Sequence, residues 1–164
     1  MTEGMAMKKF SIAVLIVLSL CLLGACGGDD VKDPGMEAVA SAVFGSFDTE
    51  NLAQTPDAYV ESMMQIPNDG YVSRNTVISA VGTSINEYGI FQGKDEAQTA
   101  ELKAALENYL EYRRELWMDE YLPEEKPKLD GAEVWVEGNY VMYAILNDAD
   151  REAAHSAFTG CFEG

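Results

Sequence analysis

Apolar positions along the chain change their period several times, and each change marks an element. Val39, Val43 and Phe47 follow Met36 at helical spacing, with Ala40 and Phe44 beside them. That spacing predicts a short amphipathic helix over 36–47. Asp48-Thr49-Glu50-Asn51 breaks it. Thr55-Pro56-Asp57 can start a second helix, with Thr55 as cap and Pro56 in the first turn. It carries Tyr59, Met63 and Met64 and stops near Ile66-Pro67, where Pro67-Asn68-Asp69-Gly70 is turn chemistry. From 71 to 92 the composition shifts to β-formers: Val72, Thr76, Val77, Ile78 and Val81. Gly82-Thr83-Ser84 turns this stretch into a second strand over 85–92.

The clearest helix spans 95–122. Leu102, Leu106, Tyr109, Arg113 and Leu116 lie on one stripe, widened by Ala105 and Tyr112. Asp95 and Glu96 sit at its positive N-terminal end, and Pro123 stops it. The segment 121–129 contains Pro123 and Pro127 and reads as extended. The best hairpin is 132–146. With Gly138-Asn139 as a two-residue turn, Glu137 faces Tyr140, Val136 faces Val141, Trp135 faces Met142 and Val134 faces Tyr143. One face is then Ala132, Val134, Val136, Val141, Tyr143 and Ile145, an apolar core face. The other is Glu133, Trp135, Glu137, Tyr140, Met142 and Ala144, which is mixed. Asn147 caps a last helix running to about Cys161, with Ala154, Ala157 and Phe158 inward. The expectation is an α+β fold: a four-stranded antiparallel sheet in (αα)ββαββα order, with the long helix packed on its core face.

A different pattern precedes all of this. Lys8-Lys9 leads into an apolar run that ends at Leu23-Gly24-Ala25-Cys26. Ile12 to Leu23 is interrupted only by Ser19, and is shorter than the roughly 20 residues that span a bilayer core. A charged start, a short apolar run and small residues at its end are the pattern of an export signal. The final four residues resemble the lipobox of bacterial lipoproteins. That resemblance implies cleavage between Ala25 and Cys26 and a diacylglycerol thioether on the Cys26 sulfur. Acylation of this kind holds a protein durably when two chains are present. The expected organisation is a removed signal peptide over 1–25, a lipidated cysteine and flexible tether over 26–35, and one extracytoplasmic domain over 36–164. Met7 is an alternative start. Nine tether residues reach roughly 15–18 Å, which keeps the domain close to the membrane.

Charge narrows the partners. The chain carries 28 acidic and 11 basic residues, for a net charge of −17. Nucleic acid is not an expected partner, because its recognition needs basic patches. Anionic headgroups are repelled, so the expected membrane contact is the acyl anchor alone. A solvated, solubilising surface accounts for the acidity, with cation or basic-polymer binding as a second reading.

Residues 121–129, Val134 to Val136 and Gly138-Asn139-Tyr140-Val141 together resemble the signature end of a bacterial lipoprotein family, the domain of unknown function numbered four-three-five-eight. Ile85-Asn86-Glu87-Tyr88-Gly89-Ile90-Phe91 is similar to that family's mid-domain strand. The resemblance implies a small membrane-anchored domain and a Gram-positive source. It brings no activity and no catalytic residues.

The residues themselves offer little catalytic chemistry. Three cysteines are present; Cys21 leaves with the signal, Cys26 is the lipid site, and Cys161 remains. Cys161 is either idle in the last helix or available for an intermolecular disulfide. His155 is the single histidine. Six residues separate it from Cys161, about 240° round a helix, so the two point apart and make no nucleophilic dyad. Asp148-Ala149-Asp150 hints at a calcium loop, yet Ala153 and Thr159 stand where that loop needs Gly and Glu. No metal, cofactor or catalytic residue is expected. Trp135, Tyr140 and Met142, bordered by Glu133 and Glu137, are a candidate interaction patch; the other arrangement open to them is a second small core beneath the N-terminal helices. The expected function is a binding or accessory module of the cell envelope, partnered by an envelope protein or component. The alternative is a small envelope hydrolase using acidic residues.

Overall fold

The computed structural model describes residues 33–118 and 120–163. The expected export signal, its cleavage site at Ala25 and Cys26, and the expected tether up to residue 32 lie outside the described residues. The elements run α1 (Met36–Phe44), β1 (Leu52–Gln54), α2 (Asp57–Met63), β2 (Ser73–Ser79), β3 (Glu87–Gln92), α3 (Glu96–Glu115), α4 (Lys126–Asp130), β4 (Glu133–Glu137), β5 (Tyr140–Ile145) and α5 (Asp148–Gly160). No helix among the described residues is long and apolar enough to cross a membrane.

The fold is α+β, but its sheet has five strands rather than the expected four. All neighbours pair antiparallel in the order β1-β2-β3-β5-β4. The extra strand is three residues long, too short for alternation to reveal it. It exists because Leu52 and Gln54 find partners on β2, Ser79 and Val77. The β4–β5 hairpin has the expected register, with Glu137 opposite Tyr140 and Val134 opposite Tyr143. Its turn places Gly138 at φ 53°, where glycine carries no steric penalty.

Three further expectations are corrected. The long helix ends at Glu115, several residues before Pro123. The segment expected to be extended contains α4. Pro127 lies in its first turn, where a missing N–H removes no helical bond. Asp95 caps α3, accepting from the Gln98 N–H at 2.9 Å, and Asn147 caps α5, accepting from the Asp150 N–H at 2.9 Å. The expected Thr55 cap does not form: α2 starts at Asp57 behind Pro56 with no side-chain cap, and the Thr55 hydroxyl is buried without a partner.

Both faces of the sheet are covered. On one, α3 and α2 bury Leu102, Leu106, Tyr109, Val60 and Met64 against Phe91, Val141, Tyr143 and Ile145. On the other, α1 and α5 bury Val39, Val43, Ala154 and Phe158 against Tyr88, Ile90, Met142 and Ala144. The central strands are therefore enclosed on both sides, and β5 is buried along its whole length.

The chain enters this domain through a fixed point. The Tyr140 hydroxyl donates to Asp33 Oδ1 at 2.6 Å and the Gly35 N–H to the same oxygen at 2.9 Å, while Gln92 Nε2 donates to Oδ2 at 3.2 Å. The Tyr140 hydrogen bond, followed by that from Gly35, holds the Asp33 carboxyl below its usual range. Residues 33–35, expected to belong to a flexible tether, are thus held at the Gln92 end of β3.

Candidate functional site

Glu87 opens β3 at the other end of that strand, and its side chain is 0% exposed. A bare carboxylate in that position would carry a severe desolvation penalty. Three donors offset it. The Tyr109 and Tyr143 hydroxyls each donate to Oε1 at 2.6 Å, and Arg113 Nη1 donates to Oε2 at 2.7 Å. Arg113 Nη1 also donates to the Tyr109 and Tyr59 hydroxyl oxygens, at 2.6 and 3.1 Å. The Tyr59 and Tyr109 hydroxyls lie 2.8 Å apart, so a consistent donor direction runs from Tyr59 to Tyr109 to Glu87.

Local geometry explains how these groups meet. Tyr109 and Arg113 are one helical turn apart on α3, so both reach the sheet together. The Arg113 guanidinium lies 5.6 Å from the Tyr109 ring centroid. Tyr109 meets Tyr59 and Tyr143 edge-on, with centroids 6.5 and 5.7 Å apart. Gly89 sits directly opposite Tyr143 across the β3–β5 ladder. A Cβ at Gly89 would lie 2.5 Å from Tyr143 Cε1 and 2.7 Å from Thr76 Cγ2. The missing side chain is what lets the Tyr143 ring lie against β3 with its hydroxyl on Glu87.

Electrostatics keep the phenols protonated and the guanidinium charged. Burial, and then the Glu87 charge, push the Tyr109 and Tyr143 phenols far above their ordinary value and raise that of Tyr59. Burial acts to lower the Arg113 value, but Glu87 overrides it and the guanidinium stays charged. Both carboxylate oxygens are engaged, so the group offers neither a spare base nor a free nucleophile. Its chemistry is to hold β3, β5, α2 and α3 together.

Beside this network lies a cleft of about 280 Å³, lined by Ile78, Val81, Ile85, Arg113, Tyr121 and Leu122 among others. Its walls are the β2–β3 loop and the segment after α3. Glu125 joins the two. It accepts from the Ile85 N–H at 3.0 Å and from Lys128 Nζ at 2.7 Å, and Lys128 also donates to Asn86 Oδ1 at 2.8 Å. Burial raises the Glu125 carboxyl, but its bonds to Lys128 and the Ile85 N–H outweigh this and the net shift is downward. A larger groove of about 550 Å³ runs along α2 and α3, lined by Met63, Met64, Ala104, Ala105 and Tyr112 and bearing the carboxylate Glu101. No three His, Cys, Asp or Glu side chains converge as metal ligands among the described residues.

The expected patch of Trp135, Tyr140 and Met142 is not a surface. Tyr140 and Met142 are buried in the core beneath α1 and α5. Trp135 is half-buried, with the His155 ring stacked on it at 4.6 Å and 13°. These helices cover the mixed hairpin face because their own apolar stripes need burial. Cys161 is half-buried, its Sγ donates to the Ala157 carbonyl at 3.2 Å, and burial pushes its thiol up. The structure thus gives His155 and Cys161 separate partners. Sequence reasoning missed Glu87 and Arg113, although both left a signal. Arg113 interrupts an otherwise apolar helix stripe, and Glu87 opens a hydrophobic strand.

Fold and site together define a two-cored α+β domain whose central acid is committed to internal structure. The chain belongs to the family described as Domain of unknown function (DUF4358), which matches residues 46–146. That match takes in β1 through β5 and every residue of the Glu87 network. No curated protein and no solved structure matches the chain.

Proposed function

We propose that the chain is a lipoprotein, anchored through diacylglycerol on Cys26, whose acidic extracytoplasmic domain is a binding or accessory module of the cell envelope. The anchor rests on Lys8-Lys9, the apolar run and Leu23-Gly24-Ala25-Cys26. The observation that supports a binding role over hydrolysis is the use made of the buried acid. Glycoside hydrolysis needs two carboxyl groups facing a substrate, one of them free to give or take a proton. Both Glu87 oxygens are engaged by Tyr109, Tyr143 and Arg113, and the side chain has no exposed surface.

The test of the anchor is labelling with a radioactive fatty acid, followed by membrane fractionation of the natural protein and Cys26→Ser. The expected outcome is loss of label and of membrane association in the variant. Equal processing and equal membrane association of Cys26→Ser would sink the anchor. The binding role is tested by photo-crosslinking in intact cells from probes on the domain surface; no specific adduct from any position would argue against it.

A further inference from the structure

The Glu87 end of β3 carries a surface that neither core absorbs. Met118 is 65% exposed, Leu116 55%, Tyr121 52% and Val81 39%. Single exposed apolar residues need no explanation. These four gather on two segments that are tied together, because the Tyr121 hydroxyl donates to the Gly82 carbonyl at 3.1 Å. The cleft beside Arg113 opens between them. The same segment is held against its local preferences. Leu122 has φ 49°, a left-handed conformation that a branched apolar residue rarely adopts. The Trp117 indole N–H is buried with no hydrogen-bond partner.

Charge then selects the occupant. Glu115, Glu120 and Glu124 are exposed along this segment. The cations beside them are spent internally. Arg113 is held by Glu87, and Arg114 donates to the carbonyls of Leu129 and Ala132. Lys126 is paired with Asp130, and Lys128 with Glu125. The pole is therefore apolar with an acidic rim. An anionic bilayer is a poor match for such a rim. The pole also lies at the opposite end of β3 from Asp33, where the tether arrives. The five rises between Glu87 and Gln92, at roughly 3.4 Å each, separate the two ends by about 17 Å before loops are added.

We propose that this pole is a docking site for a protein segment whose apolar side chains are flanked by lysine or arginine. The inference rests on the binding-module reading and names the partner chemistry of that module. Aromatic and methionine side chains suit the centre of such an interface, and the acidic rim steers the cationic flanks and fixes their register.

The full chain, purified from whichever cell fraction holds it, is titrated with a labelled amphipathic Leu/Lys helical peptide and with its Leu/Glu counterpart. The Leu/Lys peptide is expected to bind and the Leu/Glu peptide to fail. The variant Leu116→Ser/Met118→Ser/Tyr121→Ser leaves net charge unchanged and is expected to weaken binding about tenfold or more, the loss typical of central apolar contacts. Binding of the Leu/Lys peptide to that variant as tightly as to the natural chain would reduce the effect to bulk charge and overturn the proposal. So would failure of the natural chain to bind the peptide, or binding to phosphatidylglycerol vesicles that this same variant abolishes. Photo-crosslinking in cells separates the proposal from the reading beneath it. Adducts from position 118 at a Lys/Arg-flanked apolar segment support it. Adducts from position 104 in the α2–α3 groove, with none from 118, overturn the docking site while the binding module stands. Adducts only from other surface positions likewise overturn the docking site alone, and no adduct from any position overturns both.

Discussion

Replacing Arg113 with methionine tests whether Glu87 is held as a charge. Methionine keeps the apolar stem of arginine and removes every donor. The two halves of the pair are not equivalent: Glu87 has no exposed side-chain surface, while Arg113 keeps 17%. Arg113→Met strands a buried carboxylate with two phenol donors. Breaking a buried pair from one side costs about 3–5 kcal/mol. Glu87→Gln is expected to be milder. Its amide oxygen still accepts from Tyr109 and Tyr143, and Arg113, already partly exposed, can turn toward the neighbouring cleft. The loss is then one charge-assisted hydrogen bond, about 1.5–3 kcal/mol. The double variant leaves no stranded charge, so its cost should fall short of the sum of the single costs by about 1–3 kcal/mol. Urea unfolding followed by circular dichroism measures all three. A loss of roughly 3–5 °C per kcal/mol for a domain of this size puts the thermal midpoint of Arg113→Met about 10–20 °C below that of the natural chain. The reasoning fails if Arg113→Met unfolds within about 1 kcal/mol of the natural chain. It also fails if the single costs simply add.

Other perturbations probe the same architecture from different sides. Tyr88 has a buried hydroxyl with no hydrogen-bond partner, and burial pushes its phenol up to about 12; Tyr88→Phe should therefore be neutral or stabilising by up to about 1 kcal/mol, whereas Tyr143→Phe, which removes a donor to Glu87, should cost about 1.5–3 kcal/mol in the same assay. Gly89→Ala forces a Cβ against Tyr143 and Thr76; the expected cost is about 1–3 kcal/mol, read as a lower urea midpoint together with a changed near-ultraviolet tyrosine signal. Acid should release both the tether and the β2–β3 loop, because the Asp33 and Glu125 carboxyls are each held below their ordinary values. Groups lowered in this way stabilise the fold above their unfolded values, and that contribution is lost as pH falls through the folded ones, below about pH 4. Limited proteolysis near residue 33 should accelerate over that range in the natural chain and be fast at every pH in Asp33→Asn; a rate independent of pH in the natural chain would contradict the pin.

Legibility followed the length and regularity of each pattern. The β4–β5 register could be read because Gly138-Asn139 fixes the turn and the alternation runs unbroken on both sides. The cap at Asn147 could be read because it stands immediately before a helical pattern, whereas Thr55, read the same way, is cut off from its helix by Pro56. Three residues of β1 carry no such pattern; only the unpaired edge of β2 makes them a strand. The short helix α4 was hidden by a competing rule. Pro127 disfavours helix in most positions and is tolerated in a first turn, and sequence alone does not say which applies. The second core was one of two arrangements the Trp135 face left open, and the sequence did not decide between them. Glu133 and Glu137 made the Trp135 face look wet, but these acids lie on the edge strand β4, where Glu133 is exposed, while the neighbouring β5 residues on that face are fully covered. Edge charges of this kind also guard the sheet against pairing with another chain. As for the site, Glu87 and Arg113 were each visible as a polar residue in an apolar pattern. Their pairing was not, because it depends on how α3 crosses the sheet.

The segments that carried the family resemblance turn out to share a mechanical role. Ile85, Asn86, Glu87 and Gly89 lie at one end of β3, and each meets a specific partner: the Glu125 carboxylate, the Lys128 ammonium, the Arg113 guanidinium and the Tyr143 ring. Glu125 and Lys128 come from the Tyr121 to Leu129 segment, so that segment braces the β2–β3 loop instead of serving as a spacer. Tyr140, from the Gly-Asn-Tyr-Val segment, works at the opposite end, where it holds Asp33. β3 thus runs as a buried strut from the point where the tether arrives to the point where the apolar pole begins. A strut anchored by this charge network has little freedom to bend, because moving Glu87 would unmake three hydrogen bonds at a side chain with no exposed surface. The direction of the Leu116, Met118 and Tyr121 surface relative to β3 is then set by the fold. A partner must come to that surface with its own apolar segment already presented, which is why the cationic flanks, acting at a distance through the acidic rim, are the feature most open to test by salt: raising ionic strength should slow association of the Leu/Lys peptide far more than it speeds dissociation.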